Sequence, residues 1–265
     1  MADRVVVYKK TEQGELKLHI FNPVGFDSFD SRPAIVFFFG GGWVNGSPEQ
    51  FFPQSQYLAS RGLVAISAEY RVEDQHGTTP QECVRDGKSA IRWIRGHASE
   101  LGIDPDRVIA GGGSAGGHIA AATATINKFN EDGEDLSLSC RPNSLVLFNP
   151  VLDNGPNGVA YSRVKAYWQD ISPMHNISDN TPPTIVFLGT EDALIPVATV
   201  KRFKELAEEA GGSCEVHFYE GQPHGFFNFK NREYFEKTLI EVDKFLISLG
   251  FLQGDPNLSV VKDSE

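Results

Sequence analysis

A run of glycines that follows a short apolar segment constrains the fold of this chain more than any other feature. The run, GGGSAGG at residues 111–117, lies between a strand-like segment at 107–110 and a helix-forming segment at 118–122. This pattern predicts a strand, a sharp turn with Ser114 at its apex, and a helix. A Cβ beside such a turn would collide with the adjacent strand or helix, which explains the glycines.

Two functions are compatible with this turn when it is considered alone. Residues 112–116 match the G-x-S-x-G turn that presents a nucleophilic serine above a sheet. Residues 111–116 also match G-x-G-x-x-G, a dinucleotide-binding pattern. A dinucleotide site would place an acidic residue at the end of the next strand, about 20 positions on. The acidic residues at that distance, within 131–135, lie in a polar loop, which favours the nucleophile interpretation.

Strand-like and helical segments alternate along the chain. Further strands are predicted at 5–9, 16–21, 34–39, 63–67, 144–148, 184–188 and 215–219, and further helices at 51–61, from 80, at 197–210 and near the carboxyl terminus. The segment 34–39 is apolar on both faces, as is typical of a central parallel strand. The alternation predicts one α/β domain over residues 1–265, with a mostly parallel sheet and helices on both faces.

One long stretch, about 152–183, interrupts this alternation and is too long for an ordinary connection. It carries several aromatic residues, among them Tyr161, Tyr167 and Trp168. Two interpretations are open. The stretch is either a small cap inserted over the site or a surface excursion with a small core of its own.

Charge and composition exclude several classes of partner. With 24 Lys and Arg against 35 Asp and Glu, the net charge is −11, whereas nucleic acids and anionic membranes require basic surfaces. No apolar run reaches the length of a membrane span, and the amino terminus lacks a signal-peptide pattern. We therefore expect a cytoplasmic protein without nucleic-acid or membrane partners. The oligomeric state stays open, since the hairpin at 5–21 or the last helix could contact a second copy.

The three cysteines, Cys83, Cys140 and Cys214, are widely spaced. This spacing provides neither a disulfide framework nor a zinc site. The Asp and His residues also do not cluster at ligand spacing along the sequence. We therefore expect no metal and no cofactor.

A nucleophilic serine requires a histidine base and an acid that orients it, and on this type of fold both follow the serine. Only His217 and His224 follow a plausible acid loop late in the chain. His217 lies within a strand pattern, whereas His224 lies in a turn just after that strand, so His224 is the candidate base. The acid is expected in the loop at 189–196, where spacing does not separate Glu191 from Asp192.

A second glycine cluster follows the predicted strand at 34–39. Backbone N–H groups at 40–42, together with the N–H of Ala115, could stabilise an oxyanion. An oxyanion hole on this fold requires glycine-containing loops at the carboxyl ends of two strands. A glycine turn that merely ends a strand is the structural alternative.

Four motifs occur in order: FGGGW at 39–43, GxSAGG at 112–117, GxxDxLxP at 189–196 and HGF at 224–226. Together they resemble the α/β-hydrolase superfamily, specifically the small esterases related to hormone-sensitive lipase and to bacterial acetyl and feruloyl esterases. The resemblance extends from about 34 to 249. It implies an α/β-hydrolase fold in which Ser114 and His224 act with Asp192, rather than Glu191, as a catalytic triad.

The resemblance also implies that Gly41, Gly42 and Ala115 donate to the oxyanion. The chain departs from the family at Phe39, where a histidine is usual. That histidine supports the glycine loop by hydrogen bonding, so we expect phenylalanine to support it by packing instead.

The expected function is a serine carboxylesterase that acts on short, acetyl-type esters through an acyl-enzyme. The chain has no long apolar insertion to shelter a fatty acyl group, and the resemblance implies acetylated carbohydrates as one substrate class. Trp43, Trp168 and Phe226 are candidate pocket walls, with core packing as their alternative role. A peptidase of this fold would usually carry a gating domain, for which the chain has no room. A non-catalytic ligand receptor would be expected to lose Ser114 or His224.

Overall fold

Eight strands form one mixed sheet in the part of the chain described by this computed structural model, residues 1–27 and 29–259. The strands are β1 (Arg4–Thr11), β2 (Gly14–Phe21), β3 (Arg32–Phe38), β4 (Val64–Ala68), β5 (Ile103–Gly113), β6 (Ser144–Phe148), β7 (Thr184–Gly189) and β8 (Cys214–Tyr219). Their order across the sheet is β1-β2-β4-β3-β5-β6-β7-β8. The predicted alternation of strands and helices is confirmed.

The first two strands form an antiparallel hairpin at one edge, as predicted, and β2 also pairs antiparallel with β4. All remaining pairs are parallel. The strands β4 and β6 are buried along their whole length, because helices cover both faces of a parallel sheet. The carboxyl ends of β3, β5, β6, β7 and β8 therefore share one edge, where their loops meet.

The described residues form eight helices. They are α1 (Phe52–Ser60), α2 (Glu73–His76), α3 (Pro80–Gly96), α4 (Ala115–Thr125), α5 (Tyr161–Val164), α6 (Trp168–Ile171), α7 (Val197–Glu209) and α8 (Arg232–Ser248), with 3-10 turns at Pro48–Phe51, Ala98–Glu100 and Pro173–Asn176. The predicted start of α3 at Pro80 is confirmed, since Thr79 is the N-cap and forms a capping box with Glu82 in the first turn. No helix among residues 1–27 and 29–259 is long and apolar enough to cross a membrane.

The stretch at 152–183 lies between β6 and β7 and contains α5, α6 and a 3-10 turn. Val164 and Ile171 are fully buried and form a small cluster with Ala122 and Ile126. The stretch thus has a small core built on α4, the helix that follows Ser114.

Candidate active site

Ser114 occupies a strained turn between β5 and α4. Its φ of 54° and ψ of −117° are unusual for a residue with a side chain, and such conformations cost about 1–3 kcal/mol. A Cβ on Gly116 would lie 2.0 Å from the carbonyl oxygen of Phe38, so only glycine allows helix and strand to approach this closely. The Ser114 N–H donates to the Phe148 carbonyl (3.0 Å). These contacts hold the hydroxyl beyond the end of β5.

Three side chains from three loops form a hydrogen-bonded row. His224 Nε2 lies 2.9 Å from Ser114 Oγ, and His224 Nδ1 lies 2.7 Å from Asp192 Oδ2. Because a carboxylate only accepts hydrogen bonds, Nδ1 carries the proton, and Nε2 is left to accept the serine proton. The buried Asp192 also accepts the N–H groups of Leu194 (2.8 Å) and Ile195 (2.9 Å).

The alternatives considered from the sequence lie elsewhere. Glu191 is exposed, so it is Asp192 that the structure places against His224. His217 lies in β8, where its Nε2 is 2.5 Å from Glu215 Oε1. Glu215, His217 and Glu241 bring three ligand-type atoms within 4.8 Å of one another, a grouping that the spacing along the sequence did not predict. Glu215 is exposed, and Glu241 pairs with Lys244.

The glycine loop after β3 presents free backbone donors. The Gly41 carbonyl accepts the N–H groups of Val44 (3.0 Å) and Asn45 (3.2 Å). Since a trans peptide points its C=O and N–H in opposite directions, the Gly42 N–H is directed away from those residues. The N–H groups of Gly41, Gly42 and Ala115 donate to no acceptor within residues 1–27 and 29–259. Such donors are what an oxyanion requires.

Packing and hydrogen bonds together hold this loop. Phe39 stacks on Tyr70, with ring centroids 4.1 Å apart, and the Tyr70 hydroxyl donates to the Phe39 carbonyl (2.7 Å). Gln50 Oε1 accepts the Gly40 N–H at 2.6 Å. The expectation of support by packing alone was therefore incomplete, because Gln50 supplies a side-chain hydrogen bond as well.

Three amide side chains that the sequence analysis missed connect these loops. Gln50 Nε2 donates to Asn228 Oδ1 (2.9 Å), and Asn228 Nδ2 donates to the Gly225 carbonyl (2.8 Å). Asn149 Oδ1 accepts the Gly225 N–H (2.9 Å), and Asn149 Nδ2 lies 3.4 Å from His224 Nε2. The glycine loop and the histidine loop are thus joined by neutral groups. The available sequence signal was that Asn149 directly follows a buried strand.

The side chain of His118, one turn after Ser114, is fully buried and joins α4 to the stretch at 152–183. Its Nε2 lies 2.9 Å from the Ile171 carbonyl, so Nε2 carries the proton. Burial lowers the pKa of His118 to about 4. The ring is therefore neutral near pH 7, and its role at this position is to hold the stretch against α4.

A cavity of about 300 Å³ opens beside Ser114. It is lined by Gly40, Gly41, Gly42, Trp43, Gln50, Ser114, Asn149, Val151, Val159, Leu194, Ile195, His224, Gly225, Phe227 and Asn228. Of the three predicted wall residues, only Trp43 is in this lining. Trp168 instead contacts the rings of Tyr161 and His175.

Phe226 is the third predicted wall residue, and it is directed away from the cavity. Its ring packs on those of Tyr219 and Tyr234. The next residue, Phe227, provides the wall. Adjacent residues of a turn direct their side chains differently, which the sequence pattern does not specify.

A second cavity of about 300 Å³ adjoins the first. Val159, Leu194 and Ile195 line both, so they form a shared wall. Unlike the first cavity, this one is bordered by Asp153 as well as by Asn157 and Thr199. It therefore adds a carboxylate and two further polar side chains next to the cavity beside Ser114.

Comparisons with known proteins show which family this chain resembles. The BD-FAE family matches residues 18–156, and the dienelactone hydrolase family matches 157–245. Thermogutta terrifontis esterase 2 phosphoramylated by tabun is 45% identical, with a TM-score of 0.92 over 95% of this chain and 96% of that one. The propionate-bound structure of the same organism's esterase is 44% identical, with a TM-score of 0.91 over 95% and 96% of the two chains.

A curated plant protein is also similar. The probable isoprenylcysteine alpha-carbonyl methylesterase ICMEL1 of Arabidopsis thaliana is 28% identical over 83% of this chain and 50% of its own length. The chain spans about half the length of the curated relatives it matches. The family match over more than half of the chain and the esterase structures matched over nearly all of it agree with each other. The chain therefore belongs to the BD-FAE family and is a serine esterase of the α/β-hydrolase superfamily.

Proposed function

We propose that this protein hydrolyses small carboxylic esters with short acyl groups through an acyl-enzyme on Ser114. The observation that carries the proposal is the continuous row of hydrogen bonds from Ser114 through His224 to the buried Asp192. A serine hydroxyl becomes a useful nucleophile only when such a base is within hydrogen-bonding distance. The three free N–H groups beside it complete the requirements for acyl transfer.

The reaction follows from the positions of these groups. Ser114 Oγ attacks the ester carbonyl while His224 Nε2 takes its proton, and Asp192 stabilises the resulting imidazolium. The N–H groups of Gly41, Gly42 and Ala115 bind the oxyanion of the tetrahedral intermediate. His224 then protonates the leaving alcohol. Water attacks the acyl-enzyme by the same route, releasing the acid and restoring the serine.

The acyl preference is inferred from the walls of the first cavity. Trp43, Val151 and Phe227 line it with apolar surface, and its volume is about 300 Å³. A cavity of this kind has room for a small apolar group. The Thermogutta esterase whose structure is 44% identical was solved with propionate bound. We therefore place the preference among acetyl, propionyl and butyryl esters. In a series of esters of increasing acyl length, kcat/KM should be lower for octanoate and decanoate esters than for these short ones. A kcat/KM that continued to rise with acyl length would refute this preference.

The alcohol preference is inferred from the second cavity. Asp153, Asn157 and Thr199 can hydrogen-bond an alcohol that carries further hydroxyl groups, so acetylated carbohydrates are one suitable class. Asp153→Asn should lower kcat/KM for acetylated sugars more than for ethyl acetate. Glu191→Gln, which alters an exposed carboxylate, is the matched control. Equal losses on both substrates would remove the argument for a hydroxylated alcohol.

Ser114→Ala tests the reaction itself. Loss of a triad member typically lowers the rate by about 10⁴-fold or more. We expect a loss of this size when hydrolysis of p-nitrophenyl acetate is measured. Ser99→Ala, at an exposed serine, should be unaffected. A fluorophosphonate probe should label the wild-type protein and the Ser99 variant but not the Ser114 variant. A Ser114→Ala protein that retained near wild-type turnover would exclude this mechanism.

A further inference from the structure

One cation of the stretch at 152–183 contacts the glycine loop directly. Arg163 in α5 donates through Nη1 to the Gly42 carbonyl and through Nη2 to Glu73 Oε2, both at 2.6 Å. The same guanidinium lies 5.9 Å from the centre of the Trp43 ring. Gly42 and Trp43 both line the cavity beside Ser114. Arg163 itself is not among the residues that line this cavity, so it contacts the loop from outside it.

The backbone of this loop depends on such support. Gly42 and Trp43 have consecutive positive φ values of 65° and 61°. For a tryptophan this conformation is strained and persists only where its surroundings impose it. The Trp43 side chain is 1% exposed, which holds the ring in place. The adjoining peptide groups still require partners to keep their orientation.

The contacts around Arg163 form a closed ring. The Glu73 N–H donates to the Trp43 carbonyl at 3.0 Å, while the Glu73 side chain accepts from Arg163. Arg163 in turn binds the Gly42 carbonyl, so two consecutive carbonyls of the loop are held by two residues that also hold each other. Arg163 is itself fixed along the chain, since its neighbour Val164 is fully buried in the small core on α4.

We propose that Arg163 is a positioning residue that couples the stretch at 152–183 to the oxyanion loop. The guanidinium fixes the peptide group that follows Gly42, while the bonds of Val44 and Asn45 to the Gly41 carbonyl fix the peptide group that carries the Gly42 N–H. With both neighbouring peptide groups held, Gly42 keeps the backbone angles that direct its N–H toward the site. A hydrogen bond from a charged donor is about twice as strong as a neutral one. The Arg163 side chain is 30% exposed, so solvent weakens this advantage without removing it. The inference rests on the oxyanion role proposed above for Gly42.

The test is Arg163→Met, which keeps an unbranched, flexible side chain and removes the guanidinium with its charge and donors. We expect kcat to fall about tenfold, as for loss of one charge-assisted hydrogen bond, with little change in KM. Affinity for a trifluoromethyl ketone that mimics the tetrahedral intermediate should fall by the same factor. Arg163→Lys should recover part of the loss, and Glu73→Gln should give a smaller one.

Lys128→Met provides the matched control, because Lys128 pairs with Asp170 at 2.9 Å and also connects this stretch to the rest of the protein. It should leave kcat and inhibitor affinity unchanged. The inference would be overturned if Arg163→Met and Lys128→Met lowered kcat equally. It would also be overturned if Arg163→Met raised KM and left kcat unchanged. An unchanged kcat in both Arg163→Met and Glu73→Gln would overturn it as well. Failure of the proposed function would appear separately, as a wild-type protein without esterase activity.

Discussion

Replacing Gln50 by alanine should lower kcat about tenfold and leave the fold intact. The side chain joins the two loops on which the reaction depends: it accepts the Gly40 N–H at 2.6 Å and donates to Asn228 at 2.9 Å. Asn228 passes the connection to the Gly225 carbonyl at 2.8 Å. Without Gln50, the glycine loop and the loop of His224 lose this side-chain link.

The magnitude follows from the kind of contact that is lost. Two neutral hydrogen bonds contribute about 1 kcal/mol each to stability, and the half-buried Gly40 can recover part of this by binding water. Removing an oxyanion donor outright costs about 10²–10³-fold in kcat. Gln50 contacts the donor loop and is not itself a donor, so the expected loss is nearer tenfold, or about 1.4 kcal/mol.

A double-mutant cycle with Asn228→Ala measures this connection. If the two side chains act as one bridge, the double variant should be little worse than either single variant, with a coupling energy of about 1 kcal/mol in kcat/KM. Gln169→Ala, at an exposed position in α6, is the control. Strictly additive losses, or a Gln50→Ala protein with wild-type kcat, would refute the idea that the amide bridge positions the site.

Three further substitutions test the loop and the buried histidine. Gly41→Ala would place a Cβ 2.0 Å from the Asn45 carbonyl oxygen at a φ of 129°, so kcat should fall at least about 100-fold in a p-nitrophenyl ester assay. Phe39→His introduces the residue that is usual in the family but buries an imidazole against Tyr70. Urea unfolding should therefore show that the free energy of unfolding falls by about 1–3 kcal/mol, and kinetic assays should show no gain in kcat. Burial lowers the pKa of His118 from 6.5 to about 4. Between these pH values the His118 ring stays neutral in the folded protein but takes up a proton in the unfolded chain. About 3 kcal/mol of stability should therefore be lost as the pH falls from 6.5 to 4. His118→Asn should flatten that dependence in urea titrations at several pH values.

Features set by local backbone chemistry were predictable from the sequence. The bounds of β6, Ser144–Phe148, match the prediction because an uninterrupted apolar run is flanked by asparagines. In contrast, β5 begins at Ile103, four residues before the predicted start at 107, because Asp104, Pro105 and Asp106 hide its first residues in the pattern. The position of Ser114 was predictable since glycines on both sides leave the chain few conformations.

Features set by side-chain contacts between distant segments were not predictable in the same way. Gln50 and Asn228 are 178 positions apart, and neither belongs to a motif that would suggest their pairing. Arg163 and Gly42, which form a hydrogen bond, are 121 positions apart in the sequence. Only the three-dimensional arrangement of the loops identifies such partners. The acid was an intermediate case, since spacing left Glu191 and Asp192 open and burial distinguishes them.

The chemistry of the connecting residues explains why they are amides. An amide side chain donates and accepts at once. Gln50 can therefore join the Gly40 N–H on one loop to Asn228 on another, and Asn149 can contact both the Gly225 N–H and the His224 ring. A charged residue in their place would put a second charge beside His224 and would lose solvation on burial. Among the described residues, Asp192 is the only charged group in hydrogen-bonding contact with His224, while Arg163 contacts the glycine loop at Gly42. The histidine is thereby positioned by neutral groups and paired with one carboxylate, as a base that must take up and release a proton in each half of the reaction requires.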